Sequence, residues 1–358
     1  MRIQQAKEIV KAIVKFNMDA KAEGVDVGTL ISPQLIGDPG LGKTAIPKQI
    51  AEELSEEMKE EVQFSAVILA QYDAGELGGM PMLAEDENGE PCYKRARPDW
   101  LPSEGKGVLL IDELSQAPLA NLNIAAQLAN EHRIGEHKLG EGWTLVFANN
   151  KMSNRAGTNA LPTHLLDRLM GVDIEANIED TLNHFNTINA DPRVTSFLRA
   201  FPHRLAEFDA KQAACPSPRS WMRMNTLLSM IDDKLMSMAS LNSCAGSTVG
   251  LGAANDFSTH LSLHAKMVDP MEVIRSPNTA ELPEDVNVSY IAVAALAAIS
   301  NVDNIKNILI YANRLVHQDH VAFLMKDAIM RSGGKKSELL RSPDVKKYLQ
   351  THGKELVL

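Results

Sequence analysis

The stretch Gly37-Asp38-Pro39-Gly40-Leu41-Gly42-Lys43-Thr44 sets three glycines, a lysine and a hydroxyl within eight residues. Glycines so spaced let the backbone curl until successive N–H groups point at one place, where phosphate oxygens can be held. Lys43 then faces the outer phosphates with its charge and Thr44 offers a hydroxyl to Mg²⁺, while Asp38, Pro39, Leu41 and Ala45 complete the cradle. The flanks suit that chemistry. "PQLI" ahead of the loop reads as a short apolar strand, and "AIPKQIAEEL" behind it as an amphipathic helix whose amino end favours an anion. This is the Walker A pattern in its strand–loop–helix setting. Pro47 is the irregular member, because it removes one helical bond back toward Lys43 and is expected to disturb the first turns.

A second constellation lies at "GVLLIDEL", residues 107–114. Val108 to Ile111 form the continuous apolar run of a central parallel strand, and it ends in two adjacent carboxylates. Asp112 suits the metal's shell, and Glu113 suits orienting and deprotonating a water for attack on a phosphoryl group. Acids capping the next helix would explain one carboxylate but not the pair behind a buried strand. A third strand, "WTLVFANN", ends in Asn149 and Asn150, amides at the end of an α/β sheet where ligands bind, although asparagine also suits turns. In "NKMS", Ser153 replaces the acid of a guanine-reading motif, which favours ATP over GTP.

The whole chain bounds the partners. Its 358 residues allow two or three domains, and 44% hydrophobic with 23% charged residues is a globular composition rather than a disordered one. With 46 acidic against 36 basic residues the net charge is −10, which makes nucleic acid an unlikely partner for the surface as a whole. Cys92, Cys215 and Cys244 are odd in number and far apart, so neither a disulfide framework nor a zinc site is indicated, and a cytoplasmic setting fits. The first twenty residues space Ile3, Ile9, Val10, Ile13, Val14 and Phe16 as a helix face, without the apolar core of a signal peptide. "YIAVAALAAI", residues 290–299, is too short to span a membrane and reads as a buried helix.

With these pieces in order, the chain resembles the AAA+ ATPases, and among them the MoxR-like group with an insert in its second helix. The resemblance runs from about residue 30 to about 310. "AQYDAGELGGMP" and "YKRARPDWLP" are similar to that group's stretches before the Walker B strand. Between them, Asn88-Gly89 in "AEDENGEP" signals a turn and suggests the inserted β-hairpin, near 80–98. "RIGEHKLGEGWTLVFANN" resembles the short hairpin ahead of sensor 1, and the alignment of "ANNK" makes Asn150 the sensor rather than Asn149. "LPTHLLDRL" matches a motif in which the arginine enters the neighbouring subunit's ATP site. That implies a role in trans for Arg168; an ordinary ion pair with Asp167 is the plain alternative. "CPSPRSW" resembles sensor 2, which implies that Arg219 touches the γ-phosphate from a helical lid, with Ser217 and Pro218 as an ordinary helix start.

The expected fold is therefore an α/β P-loop NTPase sandwich with a parallel sheet, followed by an all-α lid and a helical C-terminal extension. Residues 1–30 read as a leading helix, 31–176 as the nucleotide-binding domain, and 177–358 as lid and extension. Gly246, Gly250 and Gly252 lack the lysine of a second phosphate loop and read as a loop. His132 and His137 lack a third metal partner and read as surface residues. "AEELSEEMKEE" reads as a solvated helix face, and Lys94, Arg95 and Arg97 either line a pore or lie in solvent. What the resemblance implies is an ATP- and Mg²⁺-dependent ring subunit, a homo-oligomer and in this group commonly a hexamer, that remodels or activates a partner protein. That partner would carry a von Willebrand factor A domain. A nucleic-acid motor and a nucleotide-gated binding module with little turnover are the alternatives.

Overall fold

In the computed structural model, residues 1–151, 160–209, 211–264, 266–317 and 319–352 are described, and Ser153 falls outside them. The chain divides into two units, Met1–Glu175 and Ala176–Leu358.

In the first unit, α1 (Ile3–Ala22) precedes β1 (Ser32–Gly37), α2 (Ala45–Met58), β2 (Gln63–Ile68) and α3 (Ala74–Gly78). A hairpin follows, β3 (Pro81–Glu85) with β4 (Pro91–Arg95), and then β5 (Lys106–Asp112) and α4 (Leu119–Glu131). A second, short hairpin, β6 (Arg133–Ile134) with β7 (His137–Lys138), leads into β8 (Gly142–Asn150), α5 (Thr163–Leu166) and β9 (Leu169–Asp173). The main sheet has the order β2-β5-β8-β1-β9 with every pairing parallel. Alternation divides the central strands between two faces. Leu109, Ile111, Leu145 and Phe147 pack with Leu122, Ala125 and Leu128 of α4, while α1 and α2 cover strands from the other side. Both faces are buried, which is why residues 108–111 of β5 and 145–148 of β8 are apolar without alternation.

The leading helix belongs to this sheet. Ala6, Val10, Ile13, Val14 and Met18 turn inward, whereas Ile9 and Phe16 are exposed, because the helical period carries those two onto the opposite side from Val10 and Val14. Asn17 donates to the Ile31 carbonyl (2.7 Å) and to Thr144 Oγ1 (3.2 Å), and Lys21 donates to the carbonyls of Gly140 (3.1 Å) and Trp143 (2.8 Å). Burial lowers the Lys21 ammonium to about 8. The acidic run of α2 is a largely exposed face, on which Glu53 pairs with Lys7 and Lys11, and Glu57 with Lys11.

The second unit is helical: α6 (Ile178–Thr187), α7 (Pro192–Ala200), α8 (Pro218–Asp232), α9 (Met238–Val249), α10 (Leu251–His264), α11 (Pro270–Arg275), α12 (Val286–Ile299), α13 (Ile305–Ala312), α14 (Asp319–Arg331), α15 (Lys336–Arg341) and α16 (Pro343–His352). Phe197, Trp221 and Phe257 centre one core. The glycine-rich stretch expected to be a loop is helical on both sides of Gly250: Gly246 lies in α9 and Gly252 in α10, and Gly250, at φ 81°, makes the corner. Apolar neighbours decide this, because Leu241, Ala245, Val249, Ala253 and Phe257 hold helical spacing through it and join the core. α12 is the buried helix that "YIAVAALAAI" suggested.

His132 also departs from expectation. It ends α4 at φ 48°, its N–H reaching the Leu128 carbonyl (3.0 Å) and its own carbonyl accepting from Leu139 (2.8 Å), and only 4% of it is exposed. The left-handed cap turns the chain back on itself and carries the ring inward. Burial lowers its imidazole to about 4, as it does for His260 of the second unit. A histidine held neutral when folded but protonated near pH 6.5 when unfolded stabilises the fold fully above pH 6.5, and that contribution is lost as pH falls toward 4. For His132 it is about 3 kcal/mol. His132→Asn, which tolerates the left-handed conformation, should therefore flatten the loss of unfolding free energy between pH 7 and pH 4.5, measured by urea denaturation.

Candidate active site

β1, which lies between β8 and the edge strand β9, stops at Gly37, and the phosphate-loop residues begin there. Gly40 and Gly42 hold φ of 85° and 86°, which side chains rarely adopt, so the loop's curl depends on them. Leu41 is buried beneath it. At the start of α2 the Ile46 N–H reaches the Gly42 carbonyl (3.1 Å), but the next bond, from position 47 to Lys43, needs an N–H that Pro47 lacks. Regular helix accordingly begins at Ala45, and continues unbroken to Met58.

Three strand ends meet at this loop. Gly37 stands opposite Asn150 in the β1–β8 register. The Lys43 ammonium lies between them, donating to the carbonyls of Gly37 (2.9 Å) and Asp38 (2.8 Å) and to Asn150 Oδ1 (2.8 Å), with 8% of the residue exposed. Thr44 Oγ1 donates to Asp112 Oδ2 (2.8 Å) at the end of β5. Asp112 uses its other oxygen, Oδ1, to accept the Glu113 N–H (2.8 Å). Glu113 is half-buried and left-handed, φ 59° and ψ 41°, a conformation that costs a non-glycine residue about 1 kcal/mol. It is held by the Asp112 bond and by the Gln116 N–H on its carbonyl (3.1 Å).

The two asparagines divide their work. Asn150 reaches Lys43, whereas Asn149 is buried and accepts the Ser115 N–H (2.9 Å), tying β8 to the turn after Glu113. That anchoring role has no sequence signal beyond the doubled asparagine at a strand end.

Arg168 sits elsewhere. It immediately precedes β9, and the register pairs Leu169 with Ser32, the first residue of β1. In a parallel sheet this sets Arg168 one residue before the start of β1, about 20 Å along the strand from Gly37 at 3.3 Å per residue. Its Nη1 donates to the His164 carbonyl, and, after Arg133, its charge helps to lower the Glu131 carboxyl. Arg219 belongs to the helical unit, exposed at the second position of α8 behind the Ser217 cap, which accepts the Ser220 N–H (3.1 Å).

Hard oxygen donors suit Mg²⁺, and Thr44 and Asp112 place a hydroxyl and a carboxylate oxygen in hydrogen-bond contact beside the loop, which fits one such ion shared with a phosphate. Strand order, glycine loop and paired acids together define an α/β P-loop NTPase fold followed by a helical region. No family model matches the chain, and no curated protein does. Among solved structures it is similar to a point mutant of RuvB from Thermotoga maritima, at 16% identity and a TM-score of 0.38 over 75% of this chain and 76% of that one. The Thermotoga maritima RuvB Holliday junction branch migration motor aligns at 17% identity and a TM-score of 0.36, over 75% and 74% of the two chains. These superpositions are loose, and the fold assignment stands on this chain's own sheet and loop.

The division between the asparagines is measurable. Asn149→Ala orphans a buried N–H and should cost about 1–3 kcal/mol in urea denaturation. Asn150→Ala, whose lysine partner keeps two carbonyls, should cost under about 1 kcal/mol.

Proposed function

We propose that this chain is an AAA+ subunit of MoxR-like kind that hydrolyses ATP to ADP and phosphate with Mg²⁺. It works in a cytoplasmic homo-oligomeric ring, a hexamer, and couples the nucleotide to remodelling or activating a partner protein with a von Willebrand factor A domain. The observation that carries the reading is the meeting of Lys43, Thr44, Asp112 and Asn150 at the ends of three adjacent strands, with Glu113 next in the chain. Phosphoryl transfer asks chiefly for position and charge, and this set offers both.

Lys43 exchanges its carbonyl acceptors for β- and γ-phosphate oxygens. Asn150, released from the ammonium, turns its amide toward the γ-phosphate and the attacking water. Glu113 accepts the water's proton as the oxygen bonds to phosphorus and the bond to ADP breaks. Thr44 and Asp112 would hold Mg²⁺, which would add neutralisation of phosphate charge. Arg219 is the sensor 2 arginine of this reading.

Arg168 favours the ring. Its place at the amino end of β9, away from this chain's own loop, supports a role in a neighbour's site. The nucleic-acid alternative gains nothing from the insert, where Arg95 is bonded to the Gly79 carbonyl and Arg97 to the carbonyls of Leu101 and Lys138. Among the described residues no helix is long and apolar enough to cross a membrane.

ATP turnover per subunit, measured against protein concentration, tests the reading. Glu113→Gln should bind ATP and lose turnover by about 10²-fold or more, and Lys43→Ala should lose binding. Specific activity should rise with concentration, and mixing inactive Arg168→Ala with inactive Glu113→Gln should restore part of it. Equal turnover in Glu113→Gln and the parent would remove the assignment of Glu113; a mixture that stays dead, with activity flat in concentration, would remove the ring.

A further inference from the structure

The β3–β4 hairpin stands on a fixed base and exposes what most hairpins hide. Its base is fastened by the Ala96 N–H on the Met80 carbonyl (2.9 Å), His137 Nε2 on the Arg95 carbonyl (2.7 Å), and Arg97 on the carbonyls of Leu101 and Lys138 (3.1 and 2.9 Å). Gly79, at φ 87°, allows the close approach, since a Cβ there would lie 2.1 Å from the Ala96 carbonyl oxygen. Beyond the base, Leu83 faces Tyr93 directly across the strands, so both lie on one side of the ribbon. They are 76% and 81% exposed. Met80 and Met82 are exposed nearby. A cross-strand pair that only stabilised its own hairpin would not require this much apolar surface in water, and Met82, next to Leu83 in β3, adds apolar surface on the ribbon's other side.

The connection between the strands is acidic. Glu85, Glu87 and Glu90 are exposed, and Asp86 closes the turn by accepting the N–H groups of Asn88 and Glu90 (both 2.8 Å). Those N–H groups, that of Glu90 first, hold the Asp86 carboxyl below the usual carboxylate range, so the tip keeps its charge. Lys94, Arg95 and Arg97 are all exposed, and Arg95 and Arg97 are bonded to carbonyls at the base. An apolar pair bordered on its tip side by carboxylates suits a polypeptide that alternates basic and apolar residues, and the tip repels a nucleic-acid backbone.

We propose that the Leu83–Tyr93 face of this hairpin is the surface that grips an extended, basic and apolar segment of the partner protein. The inference names the substrate class of the remodelling activity proposed above and rests on that reading. Leu83 and Tyr93 clasp apolar side chains of the segment, and the glutamates at the tip attract its lysines and arginines.

Fluorescence anisotropy with a short labelled peptide, unstructured and alternating Lys or Arg with Leu or Phe, tests this on the full chain in the presence of ATP. The parent should bind that peptide and not its Glu-substituted counterpart or a single-stranded DNA oligonucleotide. The double variant Leu83→Ser with Tyr93→Ser should lose affinity by about tenfold or more, Tyr93→Phe should retain it, and Glu85→Gln with Glu87→Gln and Glu90→Gln should abolish its salt dependence. No binding by the parent, preference for DNA or the acidic peptide, or unchanged affinity in the Leu83–Tyr93 double variant would overturn the proposal. Basal ATP turnover, read on the same samples, should be unchanged in all hairpin variants. Peptide binding without turnover in the parent would sink the ATPase reading alone, and turnover without peptide binding would sink only the grip.

Discussion

The Lys43 ammonium is taken almost wholly out of water, and a charge so placed is tolerable only where oxygen acceptors surround it. Two of its acceptors are carbonyls of residues 37 and 38, which point at it because β1 ends there; the third is a side chain of β8. The pairing of Gly37 with Asn150 is therefore the constraint on which the site depends. A shift of one residue in that register would reverse which asparagine faces the loop, since neighbouring strand residues point to opposite faces. It would also take Asn149 from the Ser115 N–H, and with it the tie on the turn that holds Glu113 left-handed. Apolar runs such as "LVFA" in β8, buried on both faces, are what make such a slip costly.

Chemistry carried by contiguous residues was legible in the chain. The phosphate loop, the paired acids and the hairpin around Asn88-Gly89 are each local, and each occupies the expected kind of element. What escaped was set by contacts between distant residues. His132 looks like a surface residue until the cap of α4 turns it inward, and Gly246 to Gly252 look like a loop until the surrounding apolar positions are seen to share a core. Arg95 and Arg97 offered a choice between pore and solvent; both are exposed, and both are also bonded to main-chain carbonyls, one of them 41 residues away. No spacing rule in a single sequence announces a bond of that kind.

The helical unit has a comparable constraint of its own. Asp327 on α14 is buried and accepts from Arg199 (2.7 and 2.9 Å) and Asn186 (2.7 Å), which lie on α7 and α6. Burial raises this carboxyl against the pull of Arg199 and Arg331. A buried pair adds little net stability against an apolar substitute, yet removing one partner strands the other charge. Such a cluster selects one packing of α14 on α6 and α7, so the helices after residue 270 are joined to the earlier helical core rather than tethered beside it.

A parallel sheet also has two chemically different ends. The carboxyl ends of β1, β5 and β8 carry the loop, the acids and the amide, because every strand there finishes in the same direction and leaves its connecting residues together. Arg168 enters the sheet from the opposite end, ahead of β9, so the same alignment that gathers the other groups keeps it from joining them. If Arg168 serves a phosphate, a second copy of the chain is the natural source of that phosphate. A head-to-tail contact that presents one end of each subunit to the other end of the next closes into a ring when its rotation permits, and runs on as a filament when it does not.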